Sequence, residues 1–197
     1  MFELKRKKTS RGKSVPWNKG IAVGSKKPLT LKQIDAVRNR LKVNERLREL
    51  ALFNLAIDSS LPSIDLVRLR VRDVAKAHRI LSLATITQNE SKHPIQFWIS
   101  AETRKAVAAW IAHKGLNPSQ YLFPSRLHAS PFISVRQYAR HIEAWVADIG
   151  LDPGFYGTES LRRTKPALVY RQTKNLLTAQ SLLRHVKLES TKRYLGV

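Results

Sequence analysis

The hydrophobic period of this chain changes twice, and the change restricts it to helical layers carrying a small sheet. Apolar residues recur at helical spacing up to about residue 70, alternate as in strands between 71 and 99, and return to helical spacing from 100 onward. In "PLTLKQIDAVRNRL" Thr30 and Gln33 have the spacing of a capping box, and Leu31, Ile34, Val37 and Leu41 fall on one face. Asn44 is expected to cap the next helix, "ERLRELALFNLAID", whose wide apolar face (Leu47, Leu50, Ala51, Leu52, Leu55, Ala56) demands burial. Ser63 is the expected cap of a short third helix. The segments "VRDVA", "RILSLATIT" and "IQFWIS" read as strands, with "NESKHP" as a turn. Ser100 and Gly115 bracket a further helix, and four more are expected in "SVRQYARHIEAWVADIG", "SLRRTKPALVYRQ", "LLTAQSLLRH" and "ESTKRYLG". The fold class is therefore mainly α with a small antiparallel β-sheet, an α+β domain.

Charge narrows the partners. Lys and Arg number 36 against 14 Asp and Glu, a net charge of +22, which calls for a polyanion. Nucleic acid fits better than an anionic membrane, because the basic residues are spread along the whole chain. Residues 1–27 concentrate nine of them, including Lys5, Arg6, Lys7, Lys8, Arg11 and Lys13, against the single acid Glu3. They read as a flexible basic arm making phosphate contacts ahead of a domain over 28–197. There is no cysteine, hence no disulfide or thiolate metal site. No apolar run is long enough for a membrane span and no signal peptide is visible, so a cytoplasmic, nucleoid-associated protein is expected. His78, His93, His113, His128 and His141 lack metal-ligand spacing, and no small-molecule phosphate loop is present.

The final 38 residues hold nine Lys or Arg and one acid, Glu189, around Arg162, His185 and Tyr194. An arginine fork binds phosphate oxygens, a histidine donates to another, and a tyrosine hydroxyl can attack phosphorus. Each also has an ordinary role: Arg162 as a phosphate-positioning contact, His185 as a helix-end cap, Tyr194 as packing. Arg163 and Lys165 add candidate DNA contacts beside Arg162.

The segment "YGTESLRRTKPALVYRQTKNLLTAQSLLRHVKLESTKRYLG" resembles the closing segment of the tyrosine recombinases, the phage-integrase family. There a His-x-x-Arg box is followed by a Gly-His pair and then a tyrosine about nine residues on. Arg162 matches the box arginine, His185 the second histidine and Tyr194 the nucleophile, nine residues after His185. The likeness extends through "ELALFNLAIDSSLPSIDLVRLRVRDV" and "YLFPSRLHASP", covering 28–197, and is greatest to short members with only a basic arm before the catalytic domain. It implies the tyrosine-recombinase catalytic-domain fold. It also implies duplex DNA as partner and cleavage without metal or cofactor: tyrosine attack leaves a 3′-phosphotyrosine and a 5′-hydroxyl, and another strand's hydroxyl completes the exchange. Self-association, or work beside a partner recombinase on DNA, belongs to the same expectation, although the family's usual C-terminal helix would lie beyond Val197.

Three positions depart from that pattern. Pro62 stands where the resemblance implies a second clamp arginine, Glu90 where it implies the hairpin lysine, and Glu159 where it implies the box histidine. Together they move the pocket by roughly four charge units toward negative. Losing one transition-state donor costs about a hundredfold to a thousandfold in rate, so impaired catalysis is expected. Lys92, two residues from Glu90 and on the same strand face, is a candidate substitute. Glu159 is expected to pair with Arg162 one turn on, and Pro166 to kink that helix. Three readings follow: an impaired strand-exchange enzyme, a non-cleaving DNA binder of the same fold, and a basic RNA-binding protein.

Overall fold

The computed structural model describes residues 26–77, 79–88, 93–126 and 130–197, so the basic arm up to Ser25, together with Glu90 and Lys92, lies outside the described residues. Nine helices and four short strands are found among them: α1 Leu31–Val43, α2 Leu47–Ser59, α3 Ser63–Val67, α4 Val71–Val74, β1 Ala75–Lys76, β2 Arg79–Ile80, β3 Leu83–Thr87, β4 Pro94–Trp98, α5 Ala101–Lys114, α6 Val135–Ala147, α7 Thr158–Thr173, α8 Leu176–Leu183 and α9 Leu188–Leu195. The mainly helical class with small antiparallel sheets is what the change of period implies.

Helix α2 is the centre of the domain. Every residue from Leu50 to Ile57 is buried, and α1, α5, α7 and β4 pack around it. Such a helix, apolar on nearly all sides, is stable only when other elements cover it. Phe53 meets Trp145 of α6 edge to face at 5.5 Å between ring centroids, and the Trp145 indole donates to Glu49 at 2.6 Å. The capping box of α1 forms as expected, with Thr30 accepting from the Gln33 amide and Gln33 accepting from the Thr30 amide. The Thr164 hydroxyl of α7 receives the Leu29 amide at 3.0 Å, which ties the start of the domain to the helix that carries Arg162.

Four local expectations are corrected. Asn44 ends α1 and does not begin α2; Glu45 turns the chain at φ 51°, and α2 starts after Arg46. Ser63 is the first residue of α3, behind Pro62, whose carbonyl accepts from the Asp65 and Leu66 amides. "VRDVA" is mostly a helical turn, because the Asp73 carboxylate accepts the Arg70 amide at 2.7 Å and closes the turn that buries Val71 and Val74. "RILSLATIT" is broken at Leu81–Ser82 into β2 and β3. β1 pairs with β2, and β3 pairs antiparallel with β4 from Leu83↔Trp98 to Thr87↔Pro94, burying Ile95 and Phe97 and exposing Gln96 and Trp98. Pro166 does not interrupt α7: the helix runs through it with Pro166 and Ala167 turned to the core.

Candidate active site

The C-terminal three helices bring the sequence-predicted trio together. Arg162 and Glu159 come from the first two turns of α7, His185 follows the Arg184 cap of α8, and Tyr194 lies in the last turn of α9. The rings of His185 and Tyr194 meet edge to face, 5.2 Å between centroids. His185 is oriented by the buried Thr191 hydroxyl, 3.1 Å from its Nδ1. Thr191 was not legible as a site residue, although its place one turn before Tyr194 is the signal that α9 needs a buried polar anchor there. Arg162 donates to the Leu183 carbonyl at 3.5 Å, while its Nε is buried and without a partner.

Glu159 behaves differently from the expectation. Its carboxylate accepts a short hydrogen bond from the Tyr194 hydroxyl and forms no ion pair with Arg162. Burial pushes the Tyr194 phenol above its ordinary value, and the bond to Glu159 and its negative charge push further, against the pull of Arg162 and Arg163. The hydroxyl is held protonated. His185 is moved the other way, below the ordinary histidine value, by burial first and Arg162 second, so its neutral form dominates.

Two candidate DNA contacts are engaged inside the protein. Arg163 is buried with its guanidinium 4.3 Å from the Tyr194 ring centroid, a cation–π contact that pins α9 on α7. Lys165 is partly buried and donates to the Asp58 carbonyl at the end of α2, 2.7 Å away. For Arg163 the reason is α7 itself, whose residues 160, 161, 163, 164, 166 and 167 face the core.

Beside the turn after α8 lies an edge formed by the end of α2 and by β4. Arg184, which the sequence reading passed over, reaches it: Nη2 donates to the Ser59 and Gln96 carbonyls, both at 3.2 Å, and Nη1 to Leu182 at 3.2 Å. Burial, and then the charge of Arg162, press Arg184 down to about 10, with Asp65 acting in the opposite sense. The site thus gathers cations around one hydroxyl nucleophile candidate and one carboxylate bound to it. Among the described residues no group of three His, Asp or Glu is placed to hold a metal ion, and no helix is long and apolar enough to cross a membrane.

Known proteins share this fold and part of this sequence. The chain is 27% identical over 168 residues, 85% of its own length and 87% of the relative's, to a probable integrase/recombinase, YoeC, of Bacillus subtilis (strain 168). The fold is similar to that of XerA recombinase (TM-score 0.71, 16% identity) and of XerH site-specific recombinase bound to difH substrate (TM-score 0.67, 16% identity). A lambda integrase dimer bound to a COC′ core site also matches, with TM-score 0.62 and 16% identity. The matches cover 86%, 85% and 87% of this chain, and this chain spans 60%, 50% and 48% of those three solved chains. The profile of the phage integrase family matches residues 27–197, from the start of the folded domain through Tyr194, and the chain belongs to that family.

Proposed function

We propose that this protein binds duplex DNA and breaks and rejoins it at specific sites through a covalent phosphotyrosine at Tyr194, more slowly than a site with its full set of cations. The observation that carries the reading is the meeting of Arg162, His185 and Tyr194 in one cleft, with the tyrosine hydroxyl already paired to a proton acceptor. In the proposed step Tyr194 Oη bonds to phosphorus as the 5′ oxygen departs. The phenolic proton passes to Glu159, and the leaving oxygen takes a proton from solvent or from Lys92. Arg162 and neutral His185 donate to the non-bridging oxygens as charge builds on them. Attack by a 5′-hydroxyl on the phosphotyrosine reverses the step, restoring the phosphodiester and the tyrosine without an external energy source.

The net charge of +22 supports a DNA partner. So does the likeness to the Tn1549 transposon integrase in complex with circular intermediate DNA, and the lambda integrase dimer bound to a COC′ core site supports self-association as well. A second reading, a DNA binder that does not cleave, is favoured by one observation: the Glu159 carboxylate sits on the Tyr194 hydroxyl, where it repels a phosphate and raises the phenol's pKa. Relaxation of supercoiled plasmid in metal-free buffer separates the two. Relaxation that disappears in Tyr194→Phe supports cleavage; its absence until Pro62→Arg, Glu90→Lys and Glu159→His are introduced together supports the binder. Stronger binding to RNA than to duplex DNA of equal length would overturn both.

A further inference from the structure

We propose that Arg184 supplies the second guanidinium of a clamp on the scissile phosphate, reaching from the α8–α9 turn into the place that Pro62 leaves without a cation. The proposal rests on reading the cleft as a phosphodiester site.

Backbone geometry is the first argument. Arg184 sits at φ 59°, ψ 36°, the left-handed region that favours glycine and strains other residues. A long charged side chain is therefore held at a position that α8 would close more easily with glycine. The position is the one just before His185, where the family resemblance implies the glycine of the Gly-His pair. Strain of this kind persists when the side chain has a task.

Placement is the second. The guanidinium bonds to the Ser59 carbonyl, three residues ahead of Pro62, and to the Gln96 carbonyl of β4. It has crossed from the turn after α8 to the wall formed by α2 and the hairpin. Those carbonyls fix its direction without cancelling its charge. Three of its five N–H groups are used on carbonyls, which leaves two for an incoming oxygen.

Charge is the third. Burial and then Arg162 lower the pKa of Arg184, and burial lowers that of Lys165 with Arg184 adding to it, so three cations lie close together. The carboxylates acting on them are Asp65 on Arg184 and Asp58 on Lys165. Arg162 keeps a buried Nε with no partner. An anion with several oxygens, as a phosphodiester is, answers both the repulsion and the unmet donor.

Arg184→Gly is the informative variant, since glycine relaxes the left-handed turn and should leave the thermal melt unchanged or higher. In duplex DNA binding followed by fluorescence anisotropy across a salt series, the slope of log affinity against log salt should become shallower by about 1. In plasmid relaxation the rate should fall by about a hundredfold to a thousandfold. Adding Pro62→Arg should recover both. Should Arg184→Gly melt early, Arg184→Gln, which keeps a carbonyl donor without the charge, is expected to give the same change of slope. An unaltered slope overturns the proposal, and so does a lost slope that Pro62→Arg fails to recover. If the unmodified chain relaxes no plasmid while the slope falls and recovers as described, the cleavage reading fails and the phosphate contact of Arg184 stands.

Discussion

The two ends of α2 are built from similar groups and differ in how those groups are satisfied. At the N-terminal end one carboxylate, Glu49, gathers the Trp145 indole at 2.6 Å, Arg46 at 3.4 Å and His141 at 3.7 Å. These donors converge on one carboxylate there, around an aromatic cluster of Phe53, Tyr138, His141 and Trp145. At the C-terminal end Lys165 and Arg184 bind the backbone carbonyls of Asp58 and Ser59, so neutral acceptors hold the cations. A carboxylate gripped by side-chain donors and packed rings holds a fold in one arrangement, whereas cations held on neutral carbonyls keep charge for a ligand. The first end reads as structural, and the second belongs to the proposed phosphate site.

That contrast is open to experiment. The largest effect belongs to the proposed site: Tyr194→Phe should remove plasmid relaxation altogether while leaving DNA affinity and its salt dependence intact, and any residual relaxation would place the nucleophile elsewhere. At the structural end Trp145→Ala should lower stability by about 3–5 kcal/mol in urea denaturation, from lost aromatic packing and the cavity left behind. Glu49→Gln should cost about 1–3 kcal/mol, since the indole keeps an acceptor while Arg46 loses its counter-charge. A loss larger for Glu49→Gln than for Trp145→Ala would reverse the order of importance assigned to charge and packing there.

Acid titration gives a smaller, signed test. His141 is held below the ordinary histidine value by burial first, with Arg48, Arg126 and Arg46 adding to it and Glu49 opposing. The unfolded chain therefore takes up the proton first. Stability from this group is complete above about pH 6.5 and declines as pH falls from there through the folded-state value. His185 is lowered too and contributes in the same window. His141→Gln should flatten the decline in part, and an unchanged profile would mean that His141 is as free to charge in the fold as in the unfolded chain. The smallest change is expected from Arg184→Gly, which should raise stability by up to about 1 kcal/mol through relief of the left-handed turn, less whatever its carbonyl bonds contribute. A clear loss instead would make Arg184 a structural tie between α8 and α2.

Much of this architecture is legible residue by residue. The capping box of Thr30 and Gln33, the cap at Ser100 and the stop at Gly115 rest on contacts within four residues, so local sequence suffices for them. "VRDVA" misled because Val71 and Val74 suit a strand or a helical turn equally, and the Asp73 side chain decided between them. Asn44 misled for a related reason: it suits either end of a helix, and the left-handed Glu45 that follows it moved the start of α2. Within the site, the spacing of Arg162, His185 and Tyr194 is readable, while the sequence does not show that α7 turns Arg163 to the core and holds half-buried Lys165 on the Asp58 carbonyl.

What the sequence determined by itself is periodicity and composition: helices around a small sheet, a polyanion-seeking charge, and a tyrosine nine residues after a histidine. Those properties are carried by neighbours along the chain. Tertiary structure alone decided who meets whom across it. Glu159 took the Tyr194 hydroxyl, 35 residues away, instead of the arginine one turn on, and Arg184 crossed 125 residues of sequence to the Ser59 carbonyl. The physical reason is that a side chain's partner is set by direction and burial once helices pack. Electrostatic preference in a cleft acts only among groups that packing has already brought within a few ångströms of each other.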